Sequence, residues 1–172
     1  TMAERSKVDG RLALNSVDVF WLLENLMGPG TFASGDGGAT SLTFATQPLV
    51  PFDGHIALQA DTIGLGPLGE GGAANATLVM QPNALRLEGL ETTLATGVAK
   101  GNFEARNDNG DGAISGDFSL KGARLESLTG QDAITGGFDL AGSLTATGKS
   151  ADGLAAALTG SGVVSLKGGS IK

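Results

Sequence analysis

Apolar and polar residues alternate along most of the chain, and this alternation predicts β-strands. In "FDGHIALQA" one face carries Ile56 and Leu58, whereas His55 and Gln59 lie on the other. The same period of two runs through "NATLVMQ" and "ALRLEG". It is typical of strands that bury one face and leave the other in water. The phase of the alternation changes near Gly89, which predicts a bulge or a strand break at that point.

A ten-residue unit recurs in the second half of the chain. "AISGDFSLKG" is followed twenty residues later by "AITGGFDLAG", and "AKGNFEA" is a weaker copy upstream. A strand of this kind cannot bury its apolar face alone, so we expect the copies to lie side by side. Glycines on that face, such as Gly116 and Gly142, are expected to let the sheet bend and to leave space above it. The candidate binding or core residues form an apolar stripe: Phe103, Ile114, Phe118, Leu120, Ile134, Phe138, Leu140 and Leu144.

Two segments have a helical period instead. "SVDVFWLLENLMG" predicts a helix at residues 17–27, with Ser16 as its N-cap and Gly28 as its C-cap. Its apolar residues lie nearly all round, which favours packing against a sheet. "SADGLAAALTG" predicts a second, smaller helix at residues 151–159, capped by Ser150. The predicted fold class is therefore mainly β: a curved, twisted antiparallel sheet with two short helices. A closed sandwich of two sheets is the alternative.

Composition narrows the possible functions. The chain has 172 residues, which corresponds to one domain, 1–172. Its net charge of −7 argues against nucleic acid as a partner, because phosphates need a basic face. There is no cysteine, so disulfides and thiol nucleophiles are excluded. No apolar run reaches the ~18 residues of a membrane helix. The abrupt polar start "TMAERSKVDG" and the end "GGSIK" lead us to expect a piece of a longer protein.

Several short motifs imitate chemical sites and fail on their spacing. "TATGKS" ends like a phosphate-binding loop, but Ser143 stands where the first glycine of that motif is required, five residues before Gly148. "NDNGDGAIS" imitates a calcium loop, but Phe118 occupies the position of the bidentate carboxylate, so a β-hairpin turn is expected. His55 is the single histidine, and no activated serine motif accompanies it. The sequence therefore predicts no enzyme, no catalytic residue, no cofactor and no metal site.

The last part of the chain resembles a known family. In "ITGGFDLAGSLTATGKSADGLAAALTGSGVVSLKGGSIK" a strand ends in G-x-S, a short helix ends in L-x-G, and a further strand ends in G-x-I. This order is similar to the conserved end of AsmA-like proteins of the Gram-negative envelope, and the likeness extends over residues 50–172. The matching positions are Gly148, Ser150, Leu158, Gly160, Gly169 and Ile171.

The resemblance implies a periplasmic protein, attached to the inner membrane by a segment absent from this chain, that supports outer-membrane assembly. The family is similar to bridge-like lipid carriers, so lipid acyl chains are the expected partner, with envelope proteins as further candidates. On this view the apolar stripe lines a groove for acyl chains. The competing hypothesis is a structural or adhesive extracellular β-repeat protein, assisted by calcium.

Overall fold

One open, curved sheet of nine strands with three short helices makes up the part of the chain that the structure describes. The computed structural model describes residues 6–32, 42–47, 52–66, 69–129 and 134–171. The strands are β1 (Lys7–Asp18), β2 (Asp53–Gly64), β3 (Glu70–Gly71), β4 (Ala74–Gln81), β5 (Ala84–Leu94), β6 (Gly97–Asp108), β7 (Asp111–Arg124), β8 (Ile134–Gly148) and β9 (Thr159–Ile171). The helices are α1 (Val19–Met27), α2 (Leu125–Thr129) and α3 (Ala151–Ala156).

The strands lie in the order β1-β2-β4-β5-β6-β7-β8-β9, and β3 pairs with the end of β2. All pairs from β2 onward are antiparallel, which confirms the predicted fold class. The first pair departs from the prediction, because β1 and β2 run parallel. A parallel pair needs a long crossover connection, and here the connection from β1 to β2 contains α1.

The repeated units are neighbours, as expected: β6, β7 and β8 pair consecutively and carry the three copies of the unit. The change of phase near Gly89 is a bulge between Leu87 and Leu90, and Gly89 has a φ of +59°, which glycine adopts without strain. Two more irregularities interrupt the ladders, after Leu120 and after Thr135. Each bulge increases the local twist, which explains how one sheet curves.

The sandwich alternative is wrong, because the described strands belong to one sheet. Helix α1 covers part of its apolar face, where Leu22, Leu26 and Met27 join a main core with residues of β2, β4 and β5. A second, smaller cluster lies around Ala123 and α2. The two clusters bury opposite ends of the same face.

Helix α1 begins two residues later than predicted. The N-cap is Asp18, whose carboxylate accepts hydrogen bonds from Phe20 N at 2.7 Å and Trp21 N at 3.1 Å. Ser16 is not the cap, because β1 continues through it and pairs Ser16 with Thr62 of β2. The predicted C-cap at Gly28 is confirmed.

Helix α3 is shorter than the sequence indicates, and α2 was not predicted. Ser150 caps α3 as predicted, and its hydroxyl accepts a hydrogen bond from Gly153 N at 3.1 Å. The helix ends at Ala156 rather than at residue 159, because pairing of Thr159 with Thr145 already belongs to β9. The five-residue α2 makes the number of described helices three rather than two. None of the helices in the described ranges is long and apolar enough to cross a membrane.

Candidate functional site

The candidate site is the part of the apolar face of the sheet that is formed by β6, β7, β8 and β9. Cross-strand pairing arranges these residues in rows that run perpendicular to the strands. One row joins Phe103, Gly116, Leu144 and Gly160, and the next joins Gly101, Phe118, Gly142 and Gly162. The apolar stripe expected from the repeats therefore lies on three neighbouring strands, β6, β7 and β8, and these two rows continue onto β9 through glycines.

The structure divides the apolar stripe into three parts. Leu120 and Phe138 are buried in the cluster beside α2, and Leu140 packs against them. Phe103 and Ile114 are half-buried and pack against the main core. The side chain of Ile134 lies outside the described residues, although its backbone belongs to β8.

The third part of the stripe lies between the clusters. Phe118 and Leu144 are half-buried and are not among the residues of either cluster. They remain partly in contact with water although they lie on the apolar face. Phe118 and Leu144 are therefore the stripe residues best placed to contact an apolar ligand.

Aromatic rings occupy the space above several glycines of the apolar face. The ring of Phe103 lies over Gly116 and Gly101, where an added Cβ would come within 2.4 Å and 2.8 Å of ring carbons. At Gly142 an added Cβ would lie 2.6 Å from the backbone oxygen of Ser161 and 3.2 Å from the ring of Phe118. The expectation that these glycines leave space above the sheet is wrong here. They are required because the rings lie directly on the backbone.

A groove of about 350 Å³ lies between α1 and strands β1, β2, β4 and β5. Its walls are aliphatic and aromatic, and the polar side chains among its lining residues are the amides of Asn25 and Gln81. Trp21 belongs to the wall and is 57 % exposed, so the groove opens to solvent beside this ring. Helix α1 packs against the sheet as expected, but Trp21 on its apolar surface stays exposed. A groove of this size and lining is at the small end of ligand-binding pockets in general.

Asn107 fixes α1 and the segment of residues 42–47 on the sheet. Its side chain is 8 % exposed, and its amide nitrogen donates hydrogen bonds to Leu26 O at 3.0 Å and Ala45 O at 2.9 Å. Its amide oxygen accepts one from Gly110 N at 2.9 Å in the β6–β7 hairpin. One buried side chain thus ties the end of α1, the crossing segment and a hairpin together.

The segment of residues 42–47 closes this end of the apolar face with an aromatic side chain. Phe44 is buried over Gly112, where an added Cβ would lie 2.5 Å from the ring. Its backbone N–H donates to Lys149 O at 2.9 Å, and its ring stacks on Phe32 with centroids 5.9 Å apart. The strand end and the turn of "TATGKS" thus help to hold this segment in place.

The opposite face of the sheet is polar and carries exposed ion pairs, such as Lys100 with Glu91 at 2.7 Å. Asp139 links three neighbouring strands, because Lys167 Nζ of β9 lies 2.5 Å from one oxygen and Gly122 N of β7 donates to the other at 2.7 Å. The hydrogen bond from Lys167, followed by that from Gly122, lowers the pKa of the Asp139 carboxyl group.

In α2, the pKa of a second carboxyl group, that of Glu126, is lowered. The hydrogen bond from its own backbone N–H lowers the pKa of Glu126 most, against the opposing effect of desolvation. Gly136 N donates to the same carboxylate at 3.2 Å, and Arg124 forms an ion pair with it, which lowers the pKa further. These contacts connect α2 to the start of β8 and to the end of β7.

The segments that resemble a calcium loop and a phosphate-binding loop lie at turns and strand ends. Asn109 and Gly110, with φ of +56° and +92°, form the tight β6–β7 turn, as predicted for the calcium-like segment. Lys149 is exposed and lies 3.4 Å from Asp111, and Gly148 ends β8. His55 is exposed on β2. Within the residues that the structure describes, no group of three or more acidic or histidine side chains is arranged to hold a metal ion.

Sequence reasoning missed the groove beside α1 and the role of Asn107. The exposure of Trp21 depends on how α1 is placed over the strands, and no local pattern encodes that placement. Asn107 carried a signal, since it is a polar residue in register with the apolar positions Phe103 and Ala105. Comparison with known proteins finds no family model, no curated protein and no solved structure that matches this chain.

Proposed function

We propose that this chain is a non-enzymatic module that shields phospholipid acyl chains along its apolar face. It would act in the periplasm as part of an AsmA-like envelope protein, attached to the inner membrane through a segment outside this chain, and would support outer-membrane biogenesis. The observation that carries the proposal is an open sheet whose apolar face is covered at both ends by packed clusters and left partly exposed between them.

The exposed part of the face has the chemistry that an acyl chain needs. Leu144 lies on β8 beside the edge strand β9, and Phe118 lies one strand further in, on β7. Val164 and Leu166 of β9 are exposed on the same face, opposite Leu140 and Phe138. An alkyl chain has no polar group, so it leaves no hydrogen bond unmade on such a surface. A peptide would bring N–H and C=O groups that need hydrogen-bond partners. Each methylene group removed from water contributes about 0.8 kcal/mol.

The groove beside α1 supports the same ligand class. A helix is about 10 Å wide, so a volume of about 350 Å³ is too small for even one full turn of a bound helical peptide. An extended alkyl chain is a single carbon chain in width and matches the narrow apolar walls. The resemblance of residues 134–172 to AsmA-like proteins supports this function independently of the geometry.

Lipid binding is tested first by mass spectrometry of the purified chain under non-denaturing conditions, which should find bound phospholipid. Trp21 is the single tryptophan and lines the groove. Lipids that carry bromine atoms on their acyl chains should therefore quench its fluorescence, and bromide in solution should quench it less after lipid is added. If brominated lipids do not quench the fluorescence of Trp21, acyl-chain binding at the groove is contradicted.

Variants separate the open part of the face from the core. Phe118→Asp combined with Leu144→Asp should reduce the amount of co-purified lipid while the far-ultraviolet circular dichroism stays that of a folded sheet, because both side chains are only half-buried. Ala141→Asp is the matched control, since Ala141 is exposed on the opposite face of β8. Phe138→Asp should instead unfold the cluster beside α2. An unchanged amount of co-purified lipid in the folded double variant would contradict the proposal. Melting that depends on calcium would favour the β-repeat alternative.

A further inference from the structure

Among the described residues, strand β9 pairs with β8 alone, and it carries exposed apolar side chains on both of its faces. Val163, Val164 and Leu166 are 70 %, 59 % and 68 % exposed. β9 pairs with β8 along one side, and alternate N–H and C=O groups of its other side point away from the sheet. Such an edge is a template for another strand.

The two edges of the sheet differ in their protection. β1 carries Lys7, Asp9 and Arg11, and charged residues on an edge discourage pairing. β9 has a single charged residue, Lys167, and no proline. The Lys167 ammonium group lies 2.5 Å from Asp139 of β8, so it is directed back onto the sheet and away from the free side. β9 is therefore the edge that can accept a strand.

We propose that β9 pairs with β9 of a second copy of this chain, antiparallel, about a two-fold axis at Val163. The inference goes beyond the proposed function and does not rest on lipid binding. A rotation of 180° about an axis perpendicular to the sheet brings the two β9 edges together and keeps both apolar faces on the same side. The contact is self-complementary and closes as a dimer, which is the commonest symmetry of soluble oligomers.

The register repeats one kind of pair that the sheet uses on its apolar face, a large residue opposite a glycine. On the apolar face Phe118 is paired with Gly101 and Gly142, and Leu144 is paired with Gly116 and Gly160. On the side of β8, Val164 and Leu166 pair with the large residues Leu140 and Phe138. Antiparallel pairing centred on Val163 would place glycines opposite both residues on their other side. It places Val164 opposite the partner's Gly162 and Leu166 opposite the partner's Gly160.

The same register also brings compatible side chains together on the polar face. Val163, the most exposed of the three apolar residues, meets the partner's Val163 on the axis, so the two side chains cover each other. Lys167 lies opposite the partner's Thr159, so the two lysines are about 27 Å apart along the strands at ~3.4 Å per residue. At physiological ionic strength a separation of that size is several Debye lengths, and the two charges do not oppose pairing.

The test is the oligomeric state of the chain and of variants at the axis. Sedimentation equilibrium of the unmodified protein should show a monomer and dimer in equilibrium across the micromolar range, as is usual for a small interface. Val163→Asp places two carboxylates directly opposite each other and should raise the dissociation constant about tenfold or more. Val98→Asp is the control, because Val98 is also exposed but lies on β6 inside the sheet.

A charge swap tests the register itself. Val163→Lys should also be monomeric, and an equimolar mixture of Val163→Asp with Val163→Lys should recover the dimer as a heterodimer, which native mass spectrometry identifies by its mass. A monomeric unmodified protein at all concentrations would overturn the proposal, and so would species larger than a dimer. A mixture that stays monomeric, or a Val163→Asp variant that dimerises as the unmodified protein does, would also overturn it.

Discussion

Asn107 is the side chain that joins the end of α1 to the sheet by a buried hydrogen bond. Asn107→Ala removes two donated hydrogen bonds and one accepted bond from a site that is 8 % exposed. A hydrogen bond in a protein contributes about 0.5–1.5 kcal/mol, so the three together give an expected loss of about 2–4 kcal/mol in the free energy of unfolding. Asn107→Asp should cost at least as much, because its carboxylate would face the carbonyl oxygens of Leu26 and Ala45.

The assay is unfolding in urea, followed by circular dichroism and by the fluorescence of Trp21. With a slope of about 2 kcal/mol per molar urea, the midpoint should fall by roughly 1–2 M. Trp21 lies on the attached helix, so its emission should change at lower urea than the dichroism does in the variant. Asn102→Ala is the control, since Asn102 also makes two side-chain hydrogen bonds but is exposed. A loss below 1 kcal/mol, or one equal to that of the control, would refute the reasoning.

Three further changes test other parts of the fold. Gly116→Val should destabilise by about 1–3 kcal/mol in urea unfolding, because its Cβ would collide with the ring of Phe103, and full stability of this variant would contradict the ring placement. The lowered pKa of Asp139 means that the contact with Lys167 stabilises the fold above the ordinary value of 3.8 and is lost as the pH falls through the lower folded value. Asp139→Asn should therefore flatten the dependence of the melting temperature on pH in that acid range, and an unchanged profile would contradict this. Ser150→Ala should cost about 1 kcal/mol through loss of the cap of α3, whereas Ser150→Asp should keep stability within a few tenths.

Local patterns in the sequence were sufficient for the features that depend on neighbouring residues. The alternation gave the strands, the change of phase at Gly89 gave the bulge, and Asn109–Gly110 gave the tight hairpin. The start of α1 could not be predicted in this way, because Ser16 and Asp18 are both good caps. The choice depends on the pairing of β1 with β2, which are far apart in sequence.

The candidate site shows the same limit. Phe118 and Phe138 occupy equivalent positions in the repeated unit. Phe138 is nevertheless buried beside α2, whereas Phe118 stays half-buried between the clusters. The difference arises from α2, a five-residue helix whose short sequence has no distinct period. Periodicity therefore identifies which residues share a face, but only the three-dimensional packing decides which of them are covered.

The division of the apolar face into two clusters has a consequence for how cooperatively the molecule opens. The cluster beside α2 has three buried members, whereas the main core has many more, and the strands β6, β7 and β8 connect them through backbone hydrogen bonds. In such a laterally extended sheet, stability is set locally by nearest neighbours, as in repeat proteins. We therefore expect amide protons near α2 and β9 to exchange with solvent through partial openings, while those of β4 and β5 exchange only on global unfolding.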